Sequence, residues 1–443
     1  MASKNLFPQF SKPTTIVVAH DRNLAAAMYF HDGADYPTRA SMLVRQIIDE
    51  HDPKYGVGSM TCSIYDTAWV SMIAKTTEGQ TRYLFPSSFD YLLNAQEHDG
   101  GWGGRSFSSE VDSVLNSLAA LLSISRHIAR PYQLPEASED LKHKKTRAIY
   151  FLETKFSQWD VSSTASHPGF QPLVAKILQM LDHEGVHFGF PGKQLFLRTK
   201  QNKNANYSLA ALYGDTRTVA THSLEGRIGE IDLDRVGQHK ISGSMMASPA
   251  STAAYLMNCT IWDDEAESYL AHIVSHDDGK SLGGVPSKFP TTVFELTGLI
   301  TILLENGFTH KDLGTKTLES AAAFLQDCLQ LESGVIGFAP YVESDADNTA
   351  KAISALCLMG HTVSPQSLII RYETRDYFKT YTQDRNPSFR TNCHILKALL
   401  DLLPGNTQQM PQINRLVTFL CNCWWTTNDR IEDQTVSSRC FSN

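Results

Sequence analysis

Thr292 to Leu331 reads TVFELTGLITILLENGFTHKDLGTKTLESAAAFLQDCLQL, and two amphipathic helices are written in it. Thr292–Glu305 and Thr317–Leu331 carry apolar residues at helical spacing, and Asn306-Gly307 closes the first, since glycine accepts the left-handed backbone that ends a helix. The same design stands near the start. In Ser41–Asp49, Leu43, Val44, Ile47 and Ile48 fall at i, i+1, i+4 and i+5, one stripe of a helix, and His51-Asp52-Pro53 is its stop. Alternating strand patterns rich in β-branched residues are scarce, so the chain reads as all-α.

Between the helices lie glycine-centred turns of similar flavour: QEHDGGW (Gln96–Trp102), QHKISGS (Gln238–Ser244) and LESGVIGF (Leu331–Phe338). Helix pairs joined by such turns build α-solenoids and α/α barrels, because one pair cannot bury its apolar face alone. The intervals are irregular, which favours closed helical barrels over an open array. Pro131–Lys145, rich in Glu and Lys, reads as a polar connector. With 443 residues, 42% of them hydrophobic, the chain can bury a large core in two or three domains. A net charge of -8 offers no basic field, so nucleic acid is not an expected partner. The 8 scattered cysteines are not a secreted disulfide framework and read as reduced thiols. No signal or transit segment is apparent, and the apolar run Leu299–Leu304 falls far short of the ~20 residues that span a bilayer. A cytoplasmic protein without a transmembrane segment is expected.

Three places could carry chemistry. In ESDADNT (Glu343–Thr349) the carboxylates precede the helical run Ala350–Met359, and they suit an N-cap at the positive end of the helix dipole. Alternatively Asp345 and Asp347 lie close enough that both cannot ionise cheaply, which holds one as a neutral acid able to protonate a very weak base. In CSIYDTAW (Cys62–Trp69), Tyr65 and Trp69 stand at the spacing of core packing on a helix, and in THSLEG (Thr221–Gly226) His222 reads as a helix-start histidine. Neither string matches a hydrolase or a phosphate loop.

Taken together, SIYDTAWV (Ser63–Val70), FPSSFDYLLNAQEHDGGWG (Phe85–Gly103), HSLEG (His222–Gly226), GSMMASPASTAAYLM (Gly243–Met257), GGVPSKFPTTVFE (Gly283–Glu295) and DADNTAKAI (Asp345–Ile353) resemble the class II diterpene cyclases of the copalyl diphosphate synthase type, in wording nearest the fungal branch. The likeness runs in the family's order from about residue 40 to 430. It implies two α/α barrels, β and γ, with γ inserted and the active site between them. Residues 1–55 and 312–443 would form β and 56–311 would form γ, without the class I α domain. The DDxxE string in WDDEAE (Asp263, Asp264, Glu267) lies in the γ part without the usual companion triad and reads as an exposed acidic turn rather than a class I magnesium site. Where relatives continue into further β helices, this chain turns to QTVSSRCFSN, so β is expected to be incomplete.

The resemblance further implies protonation of the terminal alkene of geranylgeranyl diphosphate, two ring closures, and loss of a proton with the diphosphate retained. Asp347 matches the proton donor of the family's DxDD motif and Asp345 the residue that orients it, while Asn348 stands where the last Asp is expected. His222 falls where plant relatives hold the terminal base water, and Ser287 where they carry its Asn partner. Lys200 and Lys203 are candidate diphosphate contacts. Magnesium is the implied cofactor, although Gly169-Phe170-Gln171 replaces the family's Gly-Phe-Glu. Tyr and Trp faces could stabilise the travelling cation by roughly 1–2 kcal/mol each. Asn348, Gln171 and the tail also motivate an alternative: an inactive homologue that keeps the fold as a binding or partner protein. Squalene-type cyclisation is disfavoured, because only Gln96–Trp102 gives a good QxxxGxW repeat. Oligomeric state and product stereochemistry are left open.

Overall fold

In the computed structural model, residues 35–426 are described apart from 104–109, 134–138, 160–169, 195, 198–211, 216, 276–282, 385 and 403–406. Lys200, Lys203, Gly169 and the closing QTVSSRCFSN therefore lie outside the described residues. Helix α1 (Tyr36–Asp49) begins ahead of the apolar stripe, because Asp35 accepts Thr38 N at 3.0 Å and Pro37 suits the first turn. The chain then forms α2 (Ile64–Ser71), α3 (Pro86–Ala95), α4 (Glu110–Ala129), α5 (Glu139–Ser157) and α6 (Phe170–His183). Two 3-10 stretches follow at Val219–Arg227 and Leu233–His239, and then α7 (Pro249–Asn258) and α8 (Asp264–Ser275). A last series comprises α9 (Thr292–Glu305), α10 (His310–Leu313), α11 (Thr315–Leu331), α12 (Ala346–Leu358), α13 (Gln366–Tyr372), α14 (Phe389–Asp401) and α15 (Met410–Thr426). Among the described residues the protein is all-α, as expected, apart from one antiparallel hairpin, β1 (Ala74–Thr77) and β2 (Gln80–Tyr83). Glu78 and Gly79 turn it with φ of 53° and 79°. The polar connector is partly helix: from Glu139 onward it is the first turn of α5, with Lys142 paired to Glu139 at 2.8 Å.

The apolar residues fall into separate cores. One draws on residues between Tyr65 and Phe289, with α4 at its centre, Leu118 to Leu122 fully buried, and α2, α5 and α6 packed against it. The other side is built from Ala40 and Val44 of α1 together with Val293, Leu296, Ile300, Leu313 and Leu318, and it continues through Val335, Ile353, Ile395 and Leu416. Helix α1 packs on α9, α10 and α11, so the chain leaves this side after Asp49 and returns to it at Thr292.

The glycine turns are clamps. Trp102 is fully buried and its Nε1 donates to Leu92 O at 2.8 Å, while Gln96 Nε2 donates to Gly100 O and to Lys144 O of α5. A Cβ at Gly100 would lie 2.5 Å from Arg147 O, which explains why the turn needs glycine. The loop back toward α9 is tighter still: a Cβ at Gly283, where φ is +96°, would lie 2.1 Å from Ser87 C, and Ser88 Oγ donates to Gly283 O at 2.7 Å. Backbone strain and overlap together should make Gly283→Ala cost about 3 kcal/mol or more. Thermal unfolding followed by far-UV circular dichroism would read that loss, and an unchanged midpoint would refute it.

Candidate active site

Helix α12 starts earlier than its apolar run, at Ala346, so that the ESDADNT segment supplies both its cap and its first turn. Asp345 is the N-cap: Oδ1 accepts Asn348 N at 2.7 Å and Oδ2 accepts Asn348 Nδ2 at 2.8 Å. The cap is fixed from three sides. Asp345 N donates to Ile336 O at 3.2 Å, Ala346 N to Thr380 O at 2.9 Å, and Thr349 Oγ1 to Asp345 O at 2.6 Å. The cap reading is met in this segment.

The two carboxyls sit in opposite electrostatic surroundings. Asp345 is buried (1% exposed), and desolvation, helped by the neighbouring Asp347 charge, raises its pKa to about 7. At Asp347 burial pushes the other way from its partners, and the partners win: His394 Nδ1 donates to Oδ1 at 2.5 Å and Lys351 Nζ to Oδ2 at 2.7 Å, lowering the pKa to about 2. Of the pair, it is Asp345 whose surroundings favour the protonated form, whereas those of Asp347 favour the charged one. Asp347, matched to the proton donor, is a paired carboxylate here, held by the Lys351 ammonium and the His394 ring nitrogen, two partners that sequence spacing did not show. Asn348 contributes its Nδ2 to Asp345, and its Oδ1 is buried without a hydrogen-bond partner.

Sequence reasoning missed Lys351 and His394. Lys351 was legible, since Asp and Lys at i, i+4 share one face of a helix. His394 arrives on α14, which packs against α12, and no local pattern announces that contact.

His222 lies in the 3-10 stretch Val219–Arg227, half-buried, with Nδ1 at 3.2 Å from Met246 O. Met246 and Ala247 form a small apolar cluster with Phe338, Ala339 and Val342, against which Phe294 packs. That cluster joins the His222 side to the loop that leads into Asp345. Ser287 is half-buried in the loop between Pro286, which bridges to Cys62, and Lys288, whose Nζ lies 4.6 Å over the Phe338 ring. The structure thus gathers Asp345, Asp347 and Asn348 in one helical turn, with His222 and Ser287 on loops beside the cluster of Met246 and Phe338. A cavity of about 590 Å³ reaches Ser344, and it is bordered by Arg217, Glu332, Glu343 and Arg371 rather than by a uniformly apolar wall.

The remaining motifs hold the fold. Tyr65 (2% exposed) donates its hydroxyl to Glu225 Oε1 at 3.1 Å, Ser251 Oγ donates to Oε2 at 2.9 Å, and Ala250 N donates to Asp66 Oδ1 at 3.1 Å. SIYDTAW, HSLEG and ASPAS are thereby knitted together around buried carboxylates. In WDDEAE, Asp263 accepts from Lys240, Tyr255 and Ala266 N, and Glu267 accepts from Lys75 and Trp262, so these groups cap and pin α8. Gln171 is buried with Oε1 unpaired, yet it is neutral, and no three His, Cys, Asp or Glu side chains among the described residues converge as a metal site. The seven described cysteines are free thiols.

No family model matches the chain. It is 42% identical over 406 residues to a phyllocladan-16-alpha-ol synthase of Phomopsis amygdali, a match covering 91% of this chain and 40% of that protein. It is 43% identical over 368 residues to a copalyl diphosphate synthase of Talaromyces verruculosus, covering 83% of this chain and 38% of the relative. The chain thus spans about two-fifths of the length of these curated relatives. Among solved structures it resembles ent-copalyl diphosphate synthase from Arabidopsis thaliana, crystallised with an aza analogue of geranylgeranyl diphosphate, at a TM-score of 0.71 and 21% identity over 90% of this chain and 53% of that one. In sequence this chain is a homologue of the fungal diterpene cyclases, and its fold is that of the all-α terpene cyclases.

Proposed function

We propose that this chain is the part of a class II diterpene cyclase that protonates geranylgeranyl diphosphate and closes it to a copalyl-type bicyclic diphosphate. The observation that carries this reading is the pair of carboxyls at the start of α12, Asp345 buried and Asp347 half-buried, set beside an apolar cluster built from both sides of the molecule. In the reaction, the protonated Asp347 carboxyl gives its proton to the terminal C=C. The positive charge passes through two ring closures, and a proton then leaves carbon for a water held by His222. The carboxylate is reprotonated from solvent, so substrate and product are isomers and the diphosphate ester is untouched. Asp345 and Asn348 hold the first turn in place. Lys200 and Lys203 are kept as diphosphate contacts, and no step is routed through a metal. The inserted unit is kept at about 56–311, and the apolar residues change core within its last part, between Phe289 and Val293.

A second reading, a silent homologue that binds the diphosphate without turning it over, is favoured by the Lys351 and His394 contacts on Asp347. Incubating the protein with geranylgeranyl diphosphate and magnesium, dephosphorylating, and seeking a bicyclic alcohol by gas chromatography with mass spectrometry separates the two. A bicyclic alcohol is the expected result. Diphosphate binding without any product would favour the silent homologue.

A further inference from the structure

Lys351 lies one helical turn beyond Asp347, largely shielded from solvent (18% exposed), with its ammonium between two groups. Nζ is 2.7 Å from Asp347 Oδ2 and 5.0 Å from the centroid of the Phe294 ring on α9. His394 of α14 covers the other carboxylate oxygen. Glu295, the acid next to Phe294, is turned elsewhere, to Ser59 and Thr291. A cation placed between a carboxylate oxygen and an aromatic face has the surroundings that a carbocation would have just after taking a proton from that oxygen. Two positive charges cannot share that position without repulsion.

We propose that Lys351 masks the acid: its ammonium stands where the first carbocation must form, holds Asp347 in the charged state, and thereby sets how fast this chain protonates an alkene. This rests on the cyclase reading above. Lys351 is a positioning residue that acts through Asp347. Its flexible four-carbon stem lets the head swing toward water, so the mask is removable without unfolding α12. At rest the site is closed to the alkene by charge and by occupancy. The depressed pKa of Asp347 agrees with this, because a carboxyl held low by its partners is seldom protonated at pH 7.

The test compares the native chain with Lys351→Met, Lys351→Gln and Lys351→Arg in two measurements. The first is the pH at which Asp347 takes up its proton, by carbon-13 NMR of aspartate-labelled protein with Asp347→Asn for assignment. The second is formation of bicyclic diphosphate under steady-state conditions. Met and Gln should each raise the protonation pH by at least about one unit and kcat at least about tenfold, with KM within about twofold, whereas Arg should resemble the native chain. Having two neutral variants guards against a folding failure in either. An unchanged protonation pH in both neutral variants overturns the proposal, as does a native chain that makes product while the neutral variants, shifted in protonation, make no more. A shifted protonation pH with no product from any variant upholds the hold of Lys351 on Asp347 and overturns the cyclase reading instead.

Discussion

Asp347→Asn is expected to lower formation of bicyclic diphosphate at least about a thousandfold, in the native chain and in the Lys351→Met background alike. An amide has no proton acidic enough for an alkene, and among the groups facing the site only Asp345 and Asp347 are carboxyls joined to the first turn of α12. The substitution also strips Lys351 and His394 of their shared anion, which should cost on the order of 1–3 kcal/mol, since both side chains retain a route to water. The double variant Asp347→Asn/Lys351→Met removes the stranded ammonium, so loss of product in it, with helical circular dichroism intact, separates chemistry from folding. Product within tenfold of the parent would mean that the proton comes from elsewhere, with Asp345 the nearest claimant.

Asp345→Asn should change stability in a pH-dependent way. The folded Asp345 carboxyl titrates near 7, against about 3.9 for an unfolded chain, so between those values the folded state holds a proton that the unfolded state has lost. Its contribution is favourable at low pH and declines as pH rises through 7, where a buried charge must be tolerated. At pH 8 that penalty is on the order of 4 kcal/mol. Asparagine also caps helices well, and its amide could donate to Asn348 Oδ1, the buried oxygen that has no partner in the native chain. The variant should therefore be more stable than the native protein by roughly 2–4 kcal/mol at pH 8 and nearly equal to it at pH 4. Asp347 works in the opposite sense: depressed to about 2, it contributes stability above about pH 4 that is lost as pH falls toward 2. Urea unfolding at both pH values checks the pair of signs, and equal gains at pH 4 and pH 8 would contradict the burial argument.

The residues show why some of this was legible in the sequence. The α9 stretch was readable to the residue, because its apolar run is long and Asn306-Gly307 punctuates it. The start of α12 was not, since capping carboxylates carry no apolar period and the helix extends backward into them. The β1–β2 hairpin was passed over because its strands have four residues each, too few for alternation to stand out. Within SIYDTAW and HSLEG, Tyr65, Asp66 and Glu225 are fastenings, a role that the strings alone did not announce. At Asp347 the motif located the carboxyl but not its charge, which depends on a histidine brought in by α14.

The packing of α1 against α9, α10 and α11 bears on how the molecule is made. About 240 residues separate Asp49 from Thr292, so at about 5–20 residues per second the ribosome takes tens of seconds to deliver the surface that covers Val44. Throughout that interval the apolar stripe of α1 is unsheltered on the nascent chain, while the core between Tyr65 and Phe289 can already close. Newborn copies are thus open to chaperone capture at α1, and slower translation before residue 292 should lower soluble yield more than slower translation after it.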